Sequence, residues 1–117
     1  MKKAFIKSLK DIPVERAHGG TGSRQLFLSK GDPISRCLEA LTKGYLKAGG
    51  KFDWHSHFDI DEFFIVIKGT GSVTFKDGSE LKYKPGDLVY VPSNIEHKIE
   101  TLGKTDNEFY FVRLKNK

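Results

Sequence analysis

Apolar residues in this chain come in short, β-forming runs separated by turn chemistry. From Lys51 onward the pattern is strand and turn throughout. Glu62–Lys68 (EFFIVIK) is a dense strand run ended by Gly69-Thr70-Gly71. Ser72–Lys76 (SVTFK) and Glu80–Lys84 (ELKYK) flank Asp77-Gly78, the strongest short hairpin signal a sequence carries. Pro85-Gly86-Asp87 turns the chain into Leu88–Val91, which Pro92-Ser93-Asn94 stops. His97–Thr101 and Glu108–Leu114 complete the series across a turn at Gly103–Asn107.

The first half is less regular. Leu38, Leu41 and Tyr45 within Arg36–Lys47 sit at helical spacing, but Gly44 interrupts them and no helix cap is evident. The all-β character of the rest tips this segment to strand. Arg24–Ser29 reads as a strand and Lys30-Gly31-Asp32-Pro33 as a turn. Met1–Pro13 reads as a leading extended segment with Phe5, Ile6 and Leu9 as its apolar contacts, too short a pattern to choose between a strand and a helical turn. The glycine-rich stretch His18–Ser23 lacks the strand–loop–helix context and the lysine of a phosphate-cradling loop, so a flexible connection is expected. Short strands at regular spacing predict an all-β sandwich or barrel. At 117 residues it forms one domain, with residues 1–23 as an N-terminal extension and 24–117 as the barrel.

Charge narrows the partners. Twenty basic against fifteen acidic residues give +5, but the lysines are scattered singly and form no basic stripe with interleaved aromatics. A nucleic-acid partner is therefore not expected, and the field mildly favours anionic small molecules. No apolar run approaches the ~20 residues of a membrane helix, and MKKAFIKSLKDIP has no signal-peptide core. The single cysteine, Cys37, cannot close an internal disulfide, which fits a reducing, cytoplasmic setting. It is expected as a small buried apolar residue.

The chemistry concentrates in Gly49–Gly69, GGKFDWHSHFDIDEFFIVIKG, and in His97. Three of four histidines fall in two glycine-bounded segments. On a regular strand His55 and His57 project from one face while Trp54 and Ser56 point away. Glu62 adds a carboxylate a few residues later. Three imidazoles and one carboxylate suit a divalent first-row transition metal (Mn, Fe, Co, Ni, Cu or Zn) and leave coordination positions for water or substrate. A lone strand histidine is usually a packed or surface residue; three with a glutamate at these spacings are not explained that way.

Those spacings resemble the two motifs of the cupin superfamily, G-x5-HxH-x4-E-x6-G and G-x5-P-x-G-x2-H-x3-N. Every ligand position is filled, by His55, His57, Glu62 and His97. Asn94 stands in place of the second-motif glycine and Thr101 in place of the final asparagine; Asn tolerates the left-handed backbone a turn glycine adopts. The resemblance covers roughly Arg36 to Leu114. It implies a double-stranded β-helix, a small barrel of two antiparallel sheets, with a metal inside. It also implies a metal-dependent enzyme acting on a small oxygenated molecule, with oxygenase- or isomerase-type chemistry favoured. The alternative is a binding or sensory cupin in which the metal anchors a sugar or small acid. Exposed barrel edges invite a homodimer.

Around the ligands, Phe64 and Val66 share strand parity with Glu62 and are expected to face the interior as a pocket wall or plain core. Asp59 and Asp61 are expected in the turn before Glu62, exposed and structural. Arg24 is a candidate for a substrate carboxylate, against an ordinary surface ion pair. Tyr45, Tyr90 and Tyr110 are candidate substrate or acid–base contacts; Tyr83 is expected as surface or packing.

Overall fold

The computed structural model describes residues 3–17 and 19–116; Met1, Lys2, His18 and Lys117 lie outside the described residues. Ten strands follow one another: β1 (Glu15–Arg16), β2 (Ser23–Ser29), β3 (Leu38–Leu46), β4 (Lys51–His55), β5 (Ile60–Lys68), β6 (Thr70–Phe75), β7 (Glu80–Tyr83), β8 (Leu88–Val91), β9 (His97–Leu102) and β10 (Asn107–Lys115). They form two antiparallel sheets, ordered β1-β2-β3-β10-β5-β8 and β4-β9-β6-β7. This is a double-stranded β-helix. Among the described residues no helix is long and apolar enough to cross a membrane.

The inward face of each strand follows from alternation. On β5 it is Glu62, Phe64 and Val66, and on β10 Asn107, Phe109 and Phe111, all buried. Phe52 and Ile99 answer from the second sheet, with Val73 and Tyr83 at the other end. Phe64 packs edge-on against Tyr83 and Phe109 at ring separations of 5.9 and 5.4 Å. Fully burying each such side chain contributes roughly 1.5–3 kcal/mol. Gly71 is required here, because a Cβ in its place would lie 2.1 Å from the Tyr83 hydroxyl.

Leu9–Asp11 forms a single 3-10 turn, so of the two forms open to the leading segment a helical turn is the one found there. The buried Gln25 side chain stabilises it, donating to the carbonyls of Leu9 and Ile12 at 2.9 and 2.8 Å. Several other expectations are corrected. The described part of the glycine loop is docked rather than loose. The Thr21 amide donates to the Lys51 carbonyl at 2.9 Å, and a Cβ on Gly22 would lie 2.0 Å from the Phe52 ring. Only Gly69 interrupts the chain between β5 and β6, since Thr70 already pairs with Leu102. Asp61 lies on β5 rather than in the preceding turn. Cys37 is exposed, because it sits in the turn before β3, where its amide donates to Ser35 Oγ. Asn94 has φ 67°, the left-handed backbone expected of a glycine substitute.

Candidate metal centre

His55 ends β4 and faces His97, the first residue of β9, across the ladder. Between Phe52 and His55 the register shifts, so that three steps on β4 match two on β9. This bulge lets Phe52 and His55 both face inward, although three residues apart they would lie on opposite faces of a regular strand. His57 follows the end of β4, outside the ladder. Glu62 comes from the opposite sheet, on β5. One ligand atom from each of His55, His57, Glu62 and His97 lies within 4.8 Å of the others.

The histidines are prepared for this role by their backbone. His55 Nδ1 is 2.6 Å from the Asp53 carbonyl and His97 Nδ1 2.9 Å from the Ile95 carbonyl. A carbonyl only accepts, so Nδ1 carries the proton in both rings and Nε2 presents its lone pair to the centre. Burial lowers the His55 pKa, against the Asp53 carbonyl, which raises it; the facing His97 lowers it further.

Glu62 and His97 are 1% and 0% exposed. Burial works against ionisation of Glu62, but its charged surroundings, the Arg113 guanidinium foremost in the geometry, overcome it and hold the carboxyl well below the usual carboxylate range. Arg113 Nε donates to Glu62 Oε2 at 2.8 Å, across paired positions of β10 and β5. The His57 and His97 Nε2 atoms stand 3.4 and 3.6 Å from the carboxylate oxygens, too far to satisfy them. His57 Nε2, Glu62 Oε1 and His97 Nε2 are thus buried without a hydrogen-bond partner. An unpaired buried polar atom costs about 1–3 kcal/mol. Three of them converging in one place fit a divalent cation, which all three can ligate. His55, His57, Glu62 and His97 would hold it.

A cleft of about 420 Å³ opens over His55, His57 and Glu62, walled by Phe52, Ile99 and Phe111 and edged by Arg24 and Arg113. Arg24 forms the ordinary ion pair, its Nε 2.8 Å from Glu15 Oε1, and it also lines the cleft. Phe64 and Val66 face inward as their parity requires, but they lie in the aromatic core and not on the cleft wall. Tyr45 is turned outward, where its hydroxyl donates to Gln25 Oε1. Tyr90 is half exposed on the outer face. Tyr110 packs outward beside Phe27 and under the Lys43 ammonium. The Trp54 ring carries the Lys76 and Lys98 ammoniums at 4.5 and 5.1 Å on the surface, as expected, although the residue also borders the cleft. Arg113 escaped the sequence reading. Its signal is a charged residue continuing the inward series Phe109, Phe111, Arg113.

The profile of the cupin domain family matches residues 44–113, more than half of the chain and all four donor residues. The chain belongs to the cupin superfamily. An oxalate-binding protein of Thermotoga maritima is 28% identical over 101 residues, covering 85% of this chain and 82% of that protein. The crystal structure of a predicted oxalate decarboxylase from the same organism matches with a TM-score of 0.84 at 25% identity, over 95% of this chain and 99% of that one. An uncharacterised protein of Methanocaldococcus jannaschii is 31% identical over 65 residues, 56% of this chain. That match takes in about half of the relative, 51% of its length.

Proposed function

We propose that this cupin is metal-dependent and acts on a small chelating anion of the oxalate class, bound over His55, His57, Glu62 and His97. The observation that carries the reading is the set of three buried, unpartnered donor atoms beneath a cleft edged by two arginines. A bound divalent ion supplies Lewis acidity toward substrate oxygens and, if redox-active, the means for dioxygen chemistry. The chain's own residues do the rest. Arg113 keeps Glu62 ionised and turns one oxygen away, leaving Oε1 for the centre. The guanidiniums of Arg24 and Arg113 offer planar donor pairs matched to carboxylate. Phe52, Ile99 and Phe111 dry the cleft floor. Oxygenase- or isomerase-type turnover is the reading drawn from the sequence, and the likeness to a predicted oxalate decarboxylase of Thermotoga maritima adds oxalate decarboxylation to it.

One observation favours metal-anchored binding without turnover. Among the described residues lining the cleft, Glu62 is the only carboxylic acid, and Arg113 occupies it. Among those described residues no free carboxylic acid stands ready to deliver a proton.

The test is to reconstitute the protein with Mn²⁺, titrate it with oxalate by calorimetry, and assay the mixture with and without dioxygen. The reading predicts saturable binding abolished by chelator, and turnover as formate and carbon dioxide in equal amounts or as oxygen uptake. Binding with neither product selects the second reading. A metallated protein that binds no oxalate overturns the substrate class.

A further inference from the structure

The loops carrying His57 and His97 are joined by a clasp that lies outside the donor set. Asp59 and Asn94 are the non-glycine residues with left-handed backbone among the described residues, at φ 52° and 67°. Asp and Asn tolerate that conformation better than other residues with side chains. Here their side chains also reach each other. The Asp59 amide donates to Asn94 Oδ1 at 3.0 Å, and Asn94 Nδ2 donates to Asp59 Oδ1 at 3.2 Å. The Asn94 amide donates to the His57 carbonyl at 3.0 Å. Asn94 alone thus makes three hydrogen bonds, one to His57 itself and two to Asp59 in the turn that follows it, and it stands three residues before His97. The Ser93 amide adds a fourth link, to Asp61 Oδ1 beside Glu62 at 3.0 Å.

His57 needs this support. It lies beyond the end of β4, and no carbonyl orients its ring among the described residues, in contrast to His55 and His97. A glycine at position 94, as in the second cupin motif, would meet the backbone requirement and supply neither side-chain bond.

We propose that Asn94 is a positioning residue for the metal centre. With Asp59 it fixes the separation of the His57 and His97 loops, and so the affinity and ligand field of the bound ion. The proposal rests on the metal reading above. The test uses full-length protein, stripped by chelator and titrated with Co²⁺, with affinity from competition, ligand field from visible absorption, and the melting temperature of the metal-free form. Asn94→Gly keeps the left-handed backbone without strain. It is expected to weaken Co²⁺ binding about tenfold and to alter the Co²⁺ spectrum, with the metal-free melting temperature within about 4 °C of wild type. The exchange Asp59→Asn with Asn94→Asp keeps a side-chain oxygen at position 94 for the backbone amide of residue 59 and rebuilds the side-chain pair with donor and acceptor reversed, and is expected to return the affinity to within about twofold of wild type. Asn94→Gly with wild-type affinity and spectrum overturns the clasp. Should Asn94→Gly not fold, the exchanged pair decides: wild-type affinity supports the clasp and a tenfold loss overturns it. A wild-type protein that takes up no Co²⁺ overturns the metal reading and the clasp's role with it.

Discussion

Two buried polar clusters lie on the inner faces of this barrel, and they are built in opposite ways. At one end Tyr83 donates its hydroxyl to Asn107 Oδ1 at 2.7 Å, and Asn107 Nδ2 donates to the Thr105 carbonyl at 3.1 Å. Burial pushes the Tyr83 phenol up, so it stays a neutral donor. Gly71 presses against it, with no room there even for a Cβ. At the other end His57, Glu62 and His97 each keep a buried atom with no partner, under an open cleft. The first cluster is complete within the chain. The second is complete only with something added, and its donors are those a divalent metal selects. Both ends use strands of the same two sheets, so the fold does not dictate the difference. Side-chain chemistry does.

Making the open cluster resemble the closed one has the larger expected effect. In Glu62→Gln the amide oxygen can take the Arg113 bond while the NH₂ faces the lone pair of His97. Metal affinity is expected to fall by ~100-fold or more, above the 10–100-fold seen for outer-shell partners, while the metal-free protein melts no lower than wild type. Competition titration and thermal denaturation check the two halves. A metal-free variant markedly less stable than wild type would show that the carboxylate already has all the partners it needs. Opening the closed cluster is the smaller change. Tyr83→Phe strands Asn107 Oδ1 and is expected to cost about 1–3 kcal/mol of stability. Its metal affinity should stay within about twofold of wild type. Denaturant unfolding and the same titration measure both, and a loss of metal binding would join the two ends that the account keeps apart.

How much of this was legible in the sequence varies by residue. His55, His57, Glu62 and His97 could be named because ligand chemistry restricts residue type and because strands and turns hold their spacing. Alternation put Phe64 and Val66 on the inner face, which is correct, but parity carries no depth: it cannot say which inward residue meets the cleft and which the aromatic core. The bulge in β4 was hidden for a related reason, since only the pairing with β9 reveals that Phe52 and His55 share a face. Arg113 depends on register as well, because it reaches Glu62 only once β10 pairs with β5. Cys37 is apolar enough to suggest burial, yet it falls in a turn whose backbone bonds keep it outside. Asn94 could be read as a glycine substitute, whereas its link to Asp59 spans 35 residues and belongs to the folded chain.

The central claim is that the three unpartnered atoms are a metal site, and metal content tests it most directly. Elemental analysis of protein purified without chelator, beside His97→Ala prepared identically, is predicted to find close to one first-row transition metal per wild-type chain and little in the variant. No metal in either, with both equally indifferent to chelator, would contradict it.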